Sequence, residues 1–77
     1  MNLEHFDLLL KDIGFVKGMS AVDSGYPSVG LMYSWIRNET SIVVTVGPLN
    51  TVISKKNLEI WNQTEYFDSY NAVLESL

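Results

Sequence analysis

The spacing of apolar and polar positions changes twice along this 77-residue chain. From residue 2 to 13 it is helical. Leu3, Phe6, Leu9, Leu10 and Ile13 fall on one arc about 120° wide when each residue advances by about 100°. Asn2 is placed to cap this helix, and Glu4 and Asp7 lie early, where the helix dipole favours negative charge. Asp7 and Lys11 form an i,i+4 pair, and Gly14 follows where helices commonly end on a left-handed glycine. Leu8 falls on the polar arc beside Glu4 and Asp12, which makes it a candidate contact residue.

From Phe15 onward the period becomes two. Phe15 to Val22 predicts a first strand with Phe15, Lys17, Met19 and Ala21 on one face. Asp23-Ser24-Gly25-Tyr26-Pro27-Ser28 then reads as a loop. Residues 29–46 carry the strongest strand pattern. Val29, Leu31, Tyr33 and Trp35 alternate with Gly30, Met32, Ser34 and Ile36, and Ser41 to Val46 follows after a polar break. A hairpin centred on Asn38-Glu39 pairs Trp35 with Ile42, Tyr33 with Val44 and Leu31 with Val46. One face is then wholly apolar, and a slip of one residue would mix both faces. Asn-Glu is not the pair that the tightest hairpin turn prefers, so a four-residue loop is expected rather than a two-residue one. The other face, with Met32, Ser34, Ile36, Ser41, Val43 and Thr45, is uncharged but not fully apolar. Such a face is either covered by another layer or offered to a partner.

Gly47-Pro48-Leu49-Asn50 marks a turn. Thr51-Val52-Ile53 and Leu58-Glu59-Ile60-Trp61 read as two short strands around Lys55-Lys56-Asn57. A closing helix is expected from Glu65 to the C-terminus, capped by Thr64, with Tyr66, Phe67, Tyr70, Val73, Leu74 and Leu77 on its apolar arc. A start at Asp68, with Phe67 outside as a staple, is the other possibility.

The pattern predicts a single α+β domain spanning residues 1–77. It is a two-layer α/β sandwich of αβββα-like order: an N-terminal helix, an antiparallel sheet of three to five strands, and a C-terminal helix, both helices on one sheet face. Its expected core is Leu3, Phe6, Leu10, Ile13, Leu31, Tyr33, Trp35, Ile42, Val44, Val46, Tyr70, Val73 and Leu74.

Composition narrows the function classes. A chain this short hides only about 60% of its unfolded surface, yet 47% of its residues are apolar. A homodimer or an obligate protein partner is therefore expected. The absence of cysteine excludes disulfides and thiolate metal sites and fits a cytoplasmic location. With His5 the single histidine, no metal and no cofactor are expected. The net charge of −4 argues against a nucleic-acid partner, which needs a concentrated basic patch; Lys55-Lys56, the one basic pair, reads as a solvated turn. Glu4, His5 and Asp7 interrupt the first apolar run, so no signal peptide is read there, and no run is long enough for a membrane span. The sequons at Asn38 and Asn62 are read as chance matches.

The search for catalytic chemistry returns little. Gly18-Met19-Ser20-Ala21-Val22 lacks the second glycine of a nucleophile elbow, and its serine reads as an ordinary strand residue. His5 lies on the polar side of its helix with no visible orienting carboxylate or nucleophile. The carboxylates are scattered singly, and no glycine-rich phosphate loop occurs. The chain is expected not to be an enzyme.

The run Leu9-Leu10-Lys11-Asp12-Ile13-Gly14-Phe15-Val16 resembles the helix-to-strand junction of HicA-type toxins. A helix, three strands and a helix is also the order of double-stranded-RNA-binding domains. The resemblance covers about 15 residues and beyond them only the order of elements, so it implies fold-level similarity and an association with RNA. Where that family carries Gly-Ser-His after its first strand, this chain has Lys17-Gly18-Met19-Ser20, so ribonuclease chemistry is not carried over.

The aromatic residues point elsewhere. Two tryptophans and four tyrosines are many for so small a domain, and both types are frequent at the centres of protein interfaces. Tyr26, Met32, Ile36 and Trp61, with Leu8, are the candidate partner-binding residues. The expected function is a non-enzymatic protein-binding module that sterically occludes a larger partner. Small acidic chains of this kind suit a phage or mobile-element anti-defence role, as in anti-CRISPR inhibitors. The alternatives are a nucleic-acid-associated regulator of HicA or double-stranded-RNA-binding topology, and a small-ligand sponge with its pocket at a subunit interface.

Overall fold

The first helix is set by its ends. Helix α1 (Leu3–Asp12) starts where Asn2 Oδ1 accepts the His5 backbone N–H at 2.8 Å, which satisfies one of the free donors of the first turn. It closes in a Schellman turn: Gly14 N–H donates to Lys11 O at 3.1 Å and Phe15 N–H to Leu10 O at 2.9 Å. Gly14 sits at φ +100°, a conformation that side chains rarely adopt, and a Cβ there would stand 3.3 Å from Arg37 Cδ. The turn brings Phe15 into the same buried cluster as Leu10. Ile13, expected in the core, is instead the residue on which the helix ends, and it is exposed.

The computed structural model describes residues 1–18, 21–22, 31–60 and 63–77, with the backbone alone at 21–22. Within them the chain forms an antiparallel sheet in the order β1-β3-β4-β5-β6, with β2 pairing β3 beside β1. The strands are β1 (Val16–Lys17), β2 (Ala21–Val22), β3 (Leu31–Arg37), β4 (Thr40–Val46), β5 (Thr51–Asn57) and β6 (Thr64–Phe67); helix α2 (Tyr70–Ser76) ends the fold. The expected α+β sandwich is present, with α1 and α2 sharing one core on one face of the sheet.

The β3–β4 register is the expected one: Trp35 pairs with Ile42, Tyr33 with Val44 and Leu31 with Val46. The loop is shorter than expected. Arg37 pairs with Thr40, so only Asn38 and Glu39 make the turn, and Asn38 absorbs it at φ +53°. Asparagine tolerates that region better than any other residue with a side chain except a few small polar ones.

Three other expectations are corrected. The first strand is two short pieces, not one. Val16 pairs with Ile36 and Lys17 with Trp35, but Ala21 pairs with Met32 and Val22 with Leu31. Four steps along this edge from Lys17 to Ala21 therefore span only three along β3, so Ala21 does not share the register face of Lys17. The two short strands expected around Lys55-Lys56-Asn57 are one continuous β5; Leu58–Ile60 belongs to a turn, and Trp61 lies outside the described residues. Lysine is tolerated here because Lys55 is fully engaged. Its ammonium sits 5.8 Å from the Phe67 ring centroid, donates to Ser76 O and Oγ at 3.3 and 3.0 Å, and lies 4.0 Å from Glu65. The closing helix begins at neither Glu65 nor Asp68. Thr64–Phe67 is an edge strand paired with β5, and Ser69 Oγ caps α2 by accepting the Ala72 N–H at 3.1 Å.

The core is Phe6, Leu10, Phe15, Trp35, Ile42, Val44, Ile53 and Val73, flanked by Leu3, Tyr33, Val46, Phe67, Tyr70 and Leu74. Leu31, expected inside, is exposed at the end of β3. Phe15, Ile53 and Phe67 enter where they were not expected. Trp35 is the largest fully buried side chain: Phe6 meets it edge-on at 5.4 Å and 79°, and Tyr33 lies at 6.5 Å. Its indole N–H donates to Asp7 Oδ1 at 2.7 Å, and Asp7 Oδ2 holds Lys11 at 3.0 Å. The same carboxylate therefore satisfies the buried indole and stitches α1 to the sheet. The Trp35 hydrogen bond holds the Asp7 carboxyl below its ordinary value against the opposing effect of burial, with Lys11 and Lys17 adding to the depression.

Because the folded-state value lies below the ordinary 3.8, the native state binds fewer protons than the unfolded chain in that range. The Asp7 contribution is thus complete above the ordinary carboxyl range and is lost as pH falls through the depressed value. Urea unfolding of Asp7→Asn is expected to lose this part of the acid sensitivity while keeping an acceptor for Trp35. Asp7→Leu leaves the buried indole N–H unpaired and is expected to cost about 1–3 kcal/mol at neutral pH.

Candidate functional site

Residues alternate across the sheet, so a core on one face fixes what the other face shows. Trp35, Ile42, Val44 and Ile53 point to the helices. Their neighbours in register form three rows on the helix-free face. Val16, Ile36, Ser41, Lys56 and Thr64 make the first row. Ser34, Val43, Ser54 and Tyr66 make the second, with Gly18 beside Ser34. Met32, Thr45 and Val52 make the third.

No described helix covers this face, and its apolar side chains other than the half-buried Val43 remain open to solvent. Tyr66 is 72% exposed and Val16 70% exposed, while Met32, Ile36 and Val52 are also exposed. Five exposed apolar side chains stand around a centre in which Ser34, Ser41, Thr45 and Ser54 surround Val43, and Lys56 is the one charge among them; apolar surface shared on one face of a small domain marks a candidate interaction surface.

Charge is segregated away from it. Lys17, Arg37 and Lys55 all sit on the helix side of the sheet, each with its cation over an aromatic ring: Tyr33 at 5.3 Å, Phe15 at 4.7 Å and Phe67 at 5.8 Å. Arg37 also donates to Ile13 O at 2.8 Å and so caps α1, as Lys55 caps α2. Lys11 is on α1. Lys56 is thus the one basic side chain on the helix-free face. Of the described carboxylates, Glu4, Asp7 and Asp12 belong to α1, Glu39 and Glu59 to turns, Glu65 faces the helix side opposite Lys55, Asp68 precedes α2 and Glu75 lies within it.

The described residues also line clefts. One of about 270 Å³ is lined by Met1, Thr51, Ile53, Asp68, Ser69, Tyr70 and Asn71, and one of about 190 Å³ by Thr40, Lys55, Lys56, Asn57, Gln63 and Glu65. Neither is lined by a histidine. Burial raises the Tyr70 hydroxyl above its ordinary value. Among the described residues no group of three or more acidic or histidine side chains is arranged to hold a metal, and no helix is long and apolar enough to cross a membrane.

Of the sequence-predicted contact residues, the structure brings Met32 and Ile36 together on the helix-free face, four residues apart on β3. Leu8 is 61% exposed but sits on the outer side of α1, in the other layer. Tyr26 and Trp61 lie outside the described residues. Val16, Val52 and Tyr66 were not anticipated. The signal that finds them is strand parity, once β5 and β6 are assigned. No known protein family, no curated protein and no solved structure is matched by this chain.

Gly18 is closely approached on this face. Its N–H donates to Ser34 O at 2.8 Å, and a Cβ at position 18 would stand 2.5 Å from Ser34 Oγ. Gly18→Ala is expected to lower the thermal midpoint, and adding Ser34→Ala, which removes that oxygen and leaves a Cβ at 3.8 Å, is expected to restore most of it.

Proposed function

We propose that this chain is a non-enzymatic protein-binding module that occludes a larger partner through the helix-free face of its sheet. One observation carries the proposal: an open sheet face rich in apolar and hydroxyl side chains, with Lys56 its one charged residue. Apolar contact across such a face supplies affinity, and the ring of hydroxyls tolerates solvent before the partner arrives. The small, acidic, cysteine-free composition supports placing it among phage or mobile-element anti-defence proteins, the role of anti-CRISPR inhibitors.

An RNA partner has less support. A sheet that reads RNA combines stacking aromatics with a basic groove, and this face offers one tyrosine and one lysine. Three of the other four cations are already drawn over aromatic rings on the helix side.

The test is affinity capture followed by direct binding measurement on the partner identified. Ile36→Lys and Met32→Lys place charge inside the patch and are expected to weaken binding roughly a hundredfold. Leu8→Lys, in the other layer, is expected to leave it within about twofold. Equal loss with all three, each still folded by circular dichroism, would place the binding surface elsewhere.

A further inference from the structure

Given that the helix-free face binds protein, as proposed above, we infer that its first occupant is a second copy of this chain, stacked sheet on sheet. Charge selects this geometry for a chain of net charge −4. Two copies meeting through their helices would bring Glu4, Asp12 and Glu75 of each against the other. Meeting through their sheets, they place both helix layers outward, roughly 30 Å apart with layers spaced at about 10 Å. That is several Debye lengths at physiological salt, about 8 Å each, so the like charges hardly interact.

Area is sufficient. Strands β3, β4 and β5, of seven residues each, rise about 24 Å, β6 and the β1–β2 edge about half that, and neighbouring strands are spaced at about 4.8 Å. Each copy then offers on the order of 500 Å², and the pair removes about 1,000 Å² from water, where specific interfaces begin. A dimer of micromolar rather than nanomolar strength follows from an area at that threshold.

The face is also self-complementary. β4 is the middle strand of the sheet and Val43 the middle residue of β4, so a two-fold axis along β4 places an uncharged valine against its own copy. The same axis sets the β6 edge of one copy over the β1 edge of the other. Tyr66, the bulkiest side chain of the face, then projects toward the position of Gly18, which has none, Met32 toward Val52, and Ile36 toward the aliphatic stem of Lys56, whose row lies nearest the end of the strands. A larger partner that takes the same face competes with the second copy, so dimerisation holds the patch covered until that partner arrives.

Sedimentation over about 1 μM to about 1 mM of the full chain tests this. The expected result is a rise in mass from 8.7 kDa toward twice that value. Ile36→Lys and, separately, Tyr66→Glu are expected to raise the dissociation constant at least about tenfold, and Leu8→Glu to leave it unchanged. Tyr66 is exposed enough that its substitution spares the fold. A wild-type chain that stays at 8.7 kDa throughout overturns self-association, as does a dimer that Leu8→Glu disrupts and Ile36→Lys does not. Neither result touches the protein-binding proposal, which the capture experiment decides on a different partner.

Discussion

The buried indole of Trp35, tied through its N–H to Asp7, is the interaction on which the rest of the structure depends. A tryptophan can be fully buried only where its N–H finds an acceptor, and a carboxylate can sit beside a core only where it is paired. Each solves the other's problem. Asp7 comes from α1 and Trp35 from the centre of β3, so their 2.7 Å contact fixes which face of the sheet the helix covers. Phe6 packs on Trp35 from the same helix and meets the Tyr70 ring of α2 at 4.6 Å, which carries the constraint to the second helix.

From that one-sided core the other face follows without further choice. Strand parity turns Met32, Ile36, Val43 and Val52 outward as surely as it turns Trp35, Ile42, Val44 and Ile53 inward. The basic residues of the helix side are used structurally, Arg37 and Lys55 each closing the C-terminal end of a helix while covering an aromatic ring. What remains outward on the sheet is a surface with little charge to keep a partner away. In a domain too small to hide all its apolar residues, Val16, Met32, Ile36, Val52 and Tyr66 share this one face, while Leu8, Ile13, Leu49 and others are exposed singly elsewhere.

The legible parts were those decided locally or by one pairing. The cap at Asn2, the glycine stop at Gly14 and the β3–β4 register all follow from short-range rules, because a slip of one residue would turn every apolar side chain to the wrong face. The place of Met32 and Ile36 on the helix-free face was legible for the same reason. The errors arose where distant contacts decide. Tyr66, Phe67, Tyr70, Val73 and Leu74 fit a helical arc, yet pairing with β5 draws the first two into a strand, and Tyr66 was missed as a surface residue in consequence. Lys55-Lys56 looks like a turn until Phe67, Ser76 and Glu65 come within reach. The offset between β1 and β2 depends on where β3 accepts partners, which no local pattern encodes.

The central claim is that the helix-free face of the sheet is the working surface and that protein covers it. Hydroxyl-radical footprinting of the wild-type chain across a dilution series reads this residue by residue. The account predicts that Met32, Ile36 and Tyr66 are modified readily in dilute solution and become protected as concentration rises, while Leu8 and Leu49 on other surfaces keep their reactivity. Protection centred on Leu8, or reactivity at Met32, Ile36 and Tyr66 that is low at every concentration, would contradict it.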